Sequence, residues 1–555
     1  MSEPVVVEVA RRGKLLFGEP YFVPGVPVPI DRKGSGEEVR PGDLAVVRTG
    51  RGRAKLERVL GRADRIETVL EALLVQEGER GGFEPFEATG SALEDHEGRV
   101  DLRGELAFTI DPETAKDFDD ALTLHDDRVL VHIADVSWFV AAGSPLDHGA
   151  ACRAFSVYVP GLVSPMLPPE LSDDLCSLRP DVDRFCVTVE VELGSGRARF
   201  YRSVIRSRAR LTYAQAEAIL AGRERVEPEL AEALRRAERV TSDLRERRFA
   251  RGALRIEGGD LVFAFDGKGG VAGAWREAEP HAHMLVEELM ILANEAVAGL
   301  LAGRRREALY RVHERPDPQA VELLLAKLSD LGVPTPPSPE LMIPADAAAV
   351  AAAASERVAD YSARSGRGRV AFPALVLRAL KQARYDPANL GHSGLASQAY
   401  CHFTSPIRRY PDLVCHRALL RELGSTDEPL PEDLAELAEH ASARERAGAQ
   451  LEYRADEICL AWLLYQRLFE LGWEAVFEGE IVGLIPSGLF VRFDEVFEGF
   501  VPARRLHGDY FELNPLGTAL VGRRGGRGYR LGDPVEVRVG EVRRSEGKIE
   551  LAPAN

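Results

Sequence analysis

The run Thr109-Ile110-Asp111-Pro112-Glu113-Thr114-Ala115-Lys116-Asp117-Phe118-Asp119-Asp120-Ala121-Leu122 decides how the rest of this chain is read. Four aspartates fall between positions 111 and 120. A regular helix is disfavoured here, because proline removes a backbone donor and Asp side chains compete for backbone hydrogen bonds. Two carboxylates about 4 Å apart repel by roughly 1 kcal/mol in water, and by about 4 kcal/mol at an effective dielectric near 20. The cluster therefore needs a cation, protonation or full exposure. An exposed acidic loop meets the last condition. The flanking apolar runs, Leu106-Ala107-Phe108 and Val129-Leu130-Val131, instead predict a core-facing position. Hard oxygen donors without a Cys/His set point to Mg²⁺ or Mn²⁺ and away from zinc. A buried Mg²⁺ site points in turn to phosphate chemistry.

Two further stretches belong with this run. One is Ser156-Val157-Tyr158-Val159-Pro160, continuing through Pro165-Met166-Leu167-Pro168 to Leu171-Ser172-Asp173-Asp174-Leu175-Cys176-Ser177-Leu178. The other is His402-Phe403-Thr404-Ser405-Pro406-Ile407-Arg408-Arg409-Tyr410-Pro411-Asp412-Leu413. In the last, proline restricts the residue before it to an extended approach. Two adjacent arginines follow, and a guanidinium fork matches phosphate oxygens bidentately. An Arg–Asp412 structural pair is the alternative use of either arginine. His402 and His416 read as structural, since metal-run hydrolysis does not require them.

Together the three stretches resemble, in order, motifs of the ribonuclease II and ribonuclease R (RNB) family of 3′→5′ exoribonucleases. The resemblance spans about residues 100–470. It implies Asp111 and Asp120 as the main metal ligands, Asp117 completing the acidic site, and Asp119 as the aspartate most critical for cleavage. The residues alone do not separate ligand from water-positioning base among the four. Arg408 is similar to the family arginine on the scissile phosphate, with Arg409 beside it as a second RNA contact. By the same resemblance Tyr158 packs on the 3′-terminal base and Glu287 lies near the terminal ribose. The partner aromatic of that clamp falls at Ile256, within Gly252-Ala253-Leu254-Arg255-Ile256, a departure from the family pattern. A second departure is Gly391-His392-Ser393-Gly394-Leu395-Ala396, which has Ser393 where the family carries Phe.

Length and composition set the frame. A chain of 555 residues, 45% hydrophobic and 29% charged, is several globular domains. It has no 18-residue apolar run and no basic-then-apolar leader, so a cytoplasmic protein without a membrane segment is expected. Six cysteines without a CxxC pair read as free buried thiols. A net charge of −17 excludes a general nucleic-acid-coating protein, yet residues 1–66 carry thirteen basic against nine acidic side chains.

Short apolar runs broken by Gly and Pro predict a small β-barrel over 1–66, of OB or cold-shock type, with a winged helix as the alternative. A helix and linker occupy 67–99. From Phe477 onward short strands return, and 475–555 resembles an S1-type OB domain with Phe490, Phe493, Phe500 and Tyr510 available for stacking. The expected architecture is thus an α+β RNB-type catalytic domain over 100–470, flanked by small OB-like β-barrels. The expected function is a Mg²⁺-dependent (or Mn²⁺-dependent), hydrolytic, processive 3′→5′ exoribonuclease. It would act as a monomer on single-stranded RNA and release nucleoside 5′-monophosphates. A metal-dependent endonuclease or DNase, and a catalytically silent RNA-binding regulator, are the competing readings.

Overall fold

The computed structural model describes residues 4–31, 38–49, 53–83, 98–255, 259–277, 281–506, 509–524 and 528–554. Strands β1 (Pro4–Arg12), β2 (Leu15–Pro20), β3 (Val28–Asp31), β4 (Asp43–Thr49) and β5 (Ala54–Arg62) close a barrel in the order β1-β2-β3-β5-β4. The alternative of a winged helix is not what these residues form. Both faces of the strands are used, as a period-two alternation requires. Val7, Val9, Ala45 and Val47 fill the barrel. Val6 and Leu44 face outward, under helix α1 (Ile66–Gln76).

The central domain is built on a six-stranded sheet. Its strands are β6 (Val100–Asp101), β7 (Ala107–Asp111), β8 (Asp120–Leu124) and β9 (Arg128–Ala134). Helix α2 (Pro145–Arg153) and the hairpin β10 (Val157–Val159) and β11 (Leu162–Ser164) precede β12 (Asp183–Glu192) and β13 (Ala198–Thr212). The order is β12-β9-β8-β7-β13-β6, and β12 also pairs with β13. Strand β13 manages both neighbours by changing partner. Arg199 to Arg206 run antiparallel to β12, and beyond a register shift at Ser207/Ala209 the strand runs parallel to β7. The near-continuous apolar runs of β8, β9 and β12 follow from burial on both faces.

Behind this sheet stand Asp135, Arg99 and Arg202. Asp135 is fully buried and pairs with Arg99 at 2.8 Å and Arg202 at 3.1 Å. The Arg99 guanidinium also lies over Phe185 and Trp138, 3.9 and 4.8 Å from their ring centres.

A helical layer follows: α3 (Tyr213–Leu220), α4 (Pro228–Ala250), the hairpin β14 (Asp260–Phe265) and β15 (Val271–Glu277), and α5 (His281–Gly303). After β16 (Tyr310–Val312) come α6 (Pro318–Asp330), α7 (Pro344–Ser365) and α8 (Ala371–Ala379), then β17 (Arg384–Asp386), α9 (Tyr410–Glu422) and α10 (Leu434–Leu471).

The C-terminal strands β18 (Val476–Ile485), β19 (Gly488–Phe493) and β20 (Phe497–Pro502) form a second closed barrel with β24 (Pro534–Arg543) and β25 (Lys548–Pro553). A three-stranded sheet, β21 (Phe511–Leu513), β22 (Ala519–Gly522) and β23 (Gly528–Arg530), is inserted after β20. Phe493 is core here, 1% exposed, so it is not free to stack a base. Phe490 and Phe500 pair on the barrel face with ring centres 5.0 Å apart, and Tyr510 is 79% exposed. Arg492 is paired with Glu498, and Arg504 with Glu550. One apolar cluster runs from α1 through Ile458, Trp462 and Leu463 of α10 to Val537 and Leu551 of this barrel. The two barrels are thus cemented to the core, and removing 475–555 would strip the face of α10.

Five of the six cysteines are buried and all six are free, but Cys152 is exposed. Among the described residues no helix is long and apolar enough to cross a membrane.

Candidate active site

The four aspartates occupy the end of β7, the start of β8 and the loop between them. The loop is exposed at 112–114 and Lys116, but Phe118 and Asp119 at its end are buried. Ser177 stitches it down, accepting from Phe118 N–H at 3.1 Å and donating to Lys116 C=O at 2.6 Å. Leu178 N–H donates to Phe118 C=O at 2.9 Å. Arg210 Nη2 donates to the carbonyls of Pro112 and Glu113 on the other side. The second motif therefore serves to fix the first.

The aspartates separate into two kinds. Asp117 accepts a 2.6 Å hydrogen bond from the Tyr158 hydroxyl. Asp119 is buried and accepts Ile407 N–H at 2.8 Å on one oxygen and Arg408 Nε at 3.2 Å on the other. Burial pushes its carboxyl well above the ordinary range in spite of Arg408. Among the described residues Asp111 and Asp120 have no such ion pair or backbone donor, and the Thr109 hydroxyl lies beside Asp111 and favours its charged form. Burial lifts Asp111 to about 6. Burial together with the charge of Asp111 lifts Asp120 to about 7. Oδ2 of Asp111 is buried with no hydrogen-bond partner.

That orphaned oxygen tests the metal expectation. Among the described residues no three Asp, Glu, His or Cys side chains form a ready-made metal cluster. Mg²⁺ does not demand one, since it keeps several waters and commonly takes one or two carboxylates plus substrate phosphates. Two repelling carboxylates, one with an unsatisfied buried oxygen, fit a hard divalent cation. Asp117 and Asp119 already carry hydrogen bonds, so Asp111 and Asp120 are the two of the four with the most open lone pairs for the cation.

The adjacent arginines diverge. Arg408 is held by Asp119 and by Ser405 Oγ at 3.2 Å, and its side chain stays 46% exposed toward the site. Arg409 takes the structural option, a bidentate grip on buried Asp412 at 2.7 and 2.9 Å. Asp412 also accepts Ser405 N–H at 2.8 Å. The expected RNA contact from Arg409 is thus replaced by a role in shaping the turn that carries Arg408. Arg408→Ala is expected to slow cleavage about 10²-fold and to cost about 1 kcal/mol of stability, because buried Asp119 loses its ion pair but keeps Ile407 N–H. Arg409→Ala is expected to cost about 2 kcal/mol, by leaving Asp412 buried with its charge unpaired. Urea midpoints and single-turnover rates on both variants check the split.

Tyr158 is 36% exposed, its ring fixed by the hydroxyl bond to Asp117 and by its own N–H on Glu452 at 2.8 Å. Glu287 lines a cavity of about 330 Å³ with Arg248, Arg255 and Lys381, whereas its neighbour Glu288 is buried against Arg248. Ile256 lies outside the described residues. His416 bonds the Phe403 carbonyl and stacks on its ring, and His402 bonds Tyr385, so both are structural. Tyr213 escaped sequence reading. It opens α3, and burial plus the charges of Asp120 and Asp111 keep its phenol protonated. A lone tyrosine after a strand carries no local signal of that neighbourhood.

Comparison with known proteins agrees with this geometry. The family model described as the RNB domain matches residues 99–425, and that of the S1 RNA binding domain matches 471–552. The chain belongs to the RNB family. This RNB chain is 39% identical to ribonuclease R of Escherichia coli over 82% of its length and 57% of that protein's. It is 38% identical to ribonuclease R of Aquifex aeolicus, over 82% of this chain and 64% of that one. It therefore spans less than two thirds of each of these two relatives. In fold it is similar to Mycoplasma genitalium RNase R, with a TM-score of 0.86 at 24% identity, covering 100% of this chain and 90% of the other. Nucleases of the RNB family are in general metal-dependent.

Proposed function

We propose that this chain is a Mg²⁺-dependent hydrolytic exoribonuclease, with Mn²⁺ as a substitute metal. It acts processively, 3′→5′, on single-stranded RNA and releases nucleoside 5′-monophosphates. One observation carries the reading: Arg408, pinned by Asp119, lies within charge range of the Asp111 and Asp120 carboxylates, and Oδ2 of Asp111 has no hydrogen-bond partner among the described residues. A bound divalent cation supplies charge neutralisation and an activated water at a phosphodiester. Asp111 and Asp120 would hold it. Arg408 offers Nη1 and the second N–H of Nη2 to the scissile phosphate, and Asp119 and Ser405 fix the fork before substrate arrives, so little reorganisation is needed. Tyr158 offers a ring face to the terminal base, and Asp117 orients that ring. Glu287, on the cavity wall, would accept from a ribose hydroxyl. Support for direction and substrate comes from the relatives named ribonuclease R and from the M. genitalium enzyme, solved with ribose-methylated single-stranded RNA.

The test is a time course on a 5′-labelled RNA and its DNA equivalent, each with Mg²⁺ or EDTA. Shortening to a small limit product, from RNA only and with metal only, is expected. Internal fragments or DNA cleavage would replace this reading with the endonuclease, and intact RNA with the regulator.

The carboxylate pair makes a thermal prediction. Asp120 holds its proton to about pH 7 in the folded chain but only to about 4 when unfolded. Between these values the native state binds more protons, so its contribution to stability falls as pH rises from about 4 to about 7 and stays lost above. Buried His132 and His416, both pushed down by burial, act oppositely below pH 6.5. The readout is therefore a difference between proteins. In metal-free buffer at pH 8, Asp120→Asn is expected to be about 1–2 kcal/mol more stable than wild type, and near equal at pH 4. Millimolar Mg²⁺ should raise the melting temperature of wild type and not of the variant. A destabilised variant at pH 8 contradicts the pairing.

A further inference from the structure

We infer that Glu480, on the first strand of the C-terminal barrel, is a positioning residue for the Glu287-lined cavity of the core, which would take part of the RNA chain. The inference rests on the exoribonuclease reading above. Helix α8 has no side-chain cap of its own. Its first N–H groups are instead taken by the Glu480 carboxylate, which accepts from Arg369 at 3.0 Å, Val370 at 3.2 Å and Ala371 at 2.9 Å. A helix start carries orphaned donors and a partial positive charge, so a carboxylate there is stabilising. What is unusual is its source, a different domain 109 residues further along the chain.

Other contacts grip the same end. Arg367 pairs with Asp533 at 2.7 Å and donates to the carbonyls of Leu331 and Leu531. Phe372 lies so close to Gly532 that a Cβ there would sit 2.6 Å from its ring, and Gly532 also holds a positive φ of 79°. The barrel can approach only because that residue is glycine.

The opposite end of α8 reaches the cavity. Leu377 on the helix, and Leu380 and Lys381 just after it, line the wall facing Glu287. His313 ties that wall down, donating from Nε2 to the Lys381 carbonyl at 2.7 Å and accepting Gly394 N–H on Nδ1 at 2.9 Å. A nine-residue helix is about 13 Å long and rigid. A barrel that holds one end therefore sets the position of the other. The C-terminal barrel is in this view part of the support of the cavity, beyond any role in feeding RNA.

The discriminating substrate is one too short to use the barrel. Full-length wild type, Glu480→Gln and Glu480→Ala are compared on a 5′-labelled tetranucleotide and on a long single-stranded RNA, with amide hydrogen exchange on each protein. Glu480→Ala is expected to speed exchange at residues 369–371, where the cap is lost, and to raise KM for the tetranucleotide about three- to tenfold with kcat within about twofold. Glu480→Gln keeps one acceptor oxygen and should fall between. A tetranucleotide KM within about twofold of wild type, or a loss confined to long RNA, overturns the inference. Absence of hydrolysis by wild type would instead sink the exoribonuclease reading. Exchange and tetranucleotide affinity then still judge Glu480.

Discussion

Asp119→Asn is expected to lower hydrolysis by at least about 10³-fold, some ~4 kcal/mol of transition-state stabilisation, while RNA binding and folding persist. Asparagine keeps the shape and one acceptor oxygen, so Ile407 N–H retains its partner. Its amide nitrogen, however, turns a donor toward Arg408 Nε, which is itself a donor. Arg408 loses its anchor, and the site loses a charge at the place where Arg408 is aimed. Removing one carboxylate from a repelling group costs the fold little. Single-turnover rates at saturating RNA, with a separate binding titration, check this. A variant within tenfold of wild type, or one that loses binding and activity together, would show that Asp119 does something else.

The second large effect is on stability. Asp135→Asn is expected to cost about 3–5 kcal/mol, because it leaves two guanidiniums, one of them with its side chain only 1% exposed, without a countercharge. The consequence for the site is direct. Asp135 follows β9, whose last residue, Ala134, donates its N–H to the carbonyl of Asp119 at 2.9 Å. Burial raises the Asp135 carboxyl, but Arg99 and Arg202 outweigh burial and hold it below the ordinary value. A depressed folded value stabilises above the unfolded one, near 3.9, and that contribution disappears as pH falls through the folded value. The gap between wild type and variant should thus be constant from pH 5 to 8 and shrink below about 4. Urea melts followed at the first transition measure it, since a chain of several domains need not unfold in one step. A gap under about 1 kcal/mol, or one that widens in acid, contradicts the assignment.

The two arginines show how far spacing could be read. Both lie in one motif and both had the same two possible uses. Arg408 took the site and Arg409 took Asp412, three residues on. The choice is made by the chain direction at Ser405–Arg409, where the turn points one side chain to β8 and the other back into α9. Phe493 and Tyr510 make the same point in the C-terminal barrel. Both are aromatics in a strand-rich segment, yet one is core and the other 79% exposed.

What the amino-acid order determined by itself is considerable: two barrels from period-two runs, a buried acidic segment from its apolar flanks, hard oxygen donors, and basic groups elsewhere in the chain. These are local properties, set by strand alternation, turn chemistry and side-chain type. Tertiary structure alone decided which aspartates remain unpartnered and which are engaged. Asp119 meets Ile407 across 288 residues, Asp117 meets Tyr158 across 41, and Glu480 reaches back 109 to cap α8. Periodicity tells a side chain which face it occupies, but a hydrogen-bond partner is chosen by how distant elements pack, and no local pattern records that.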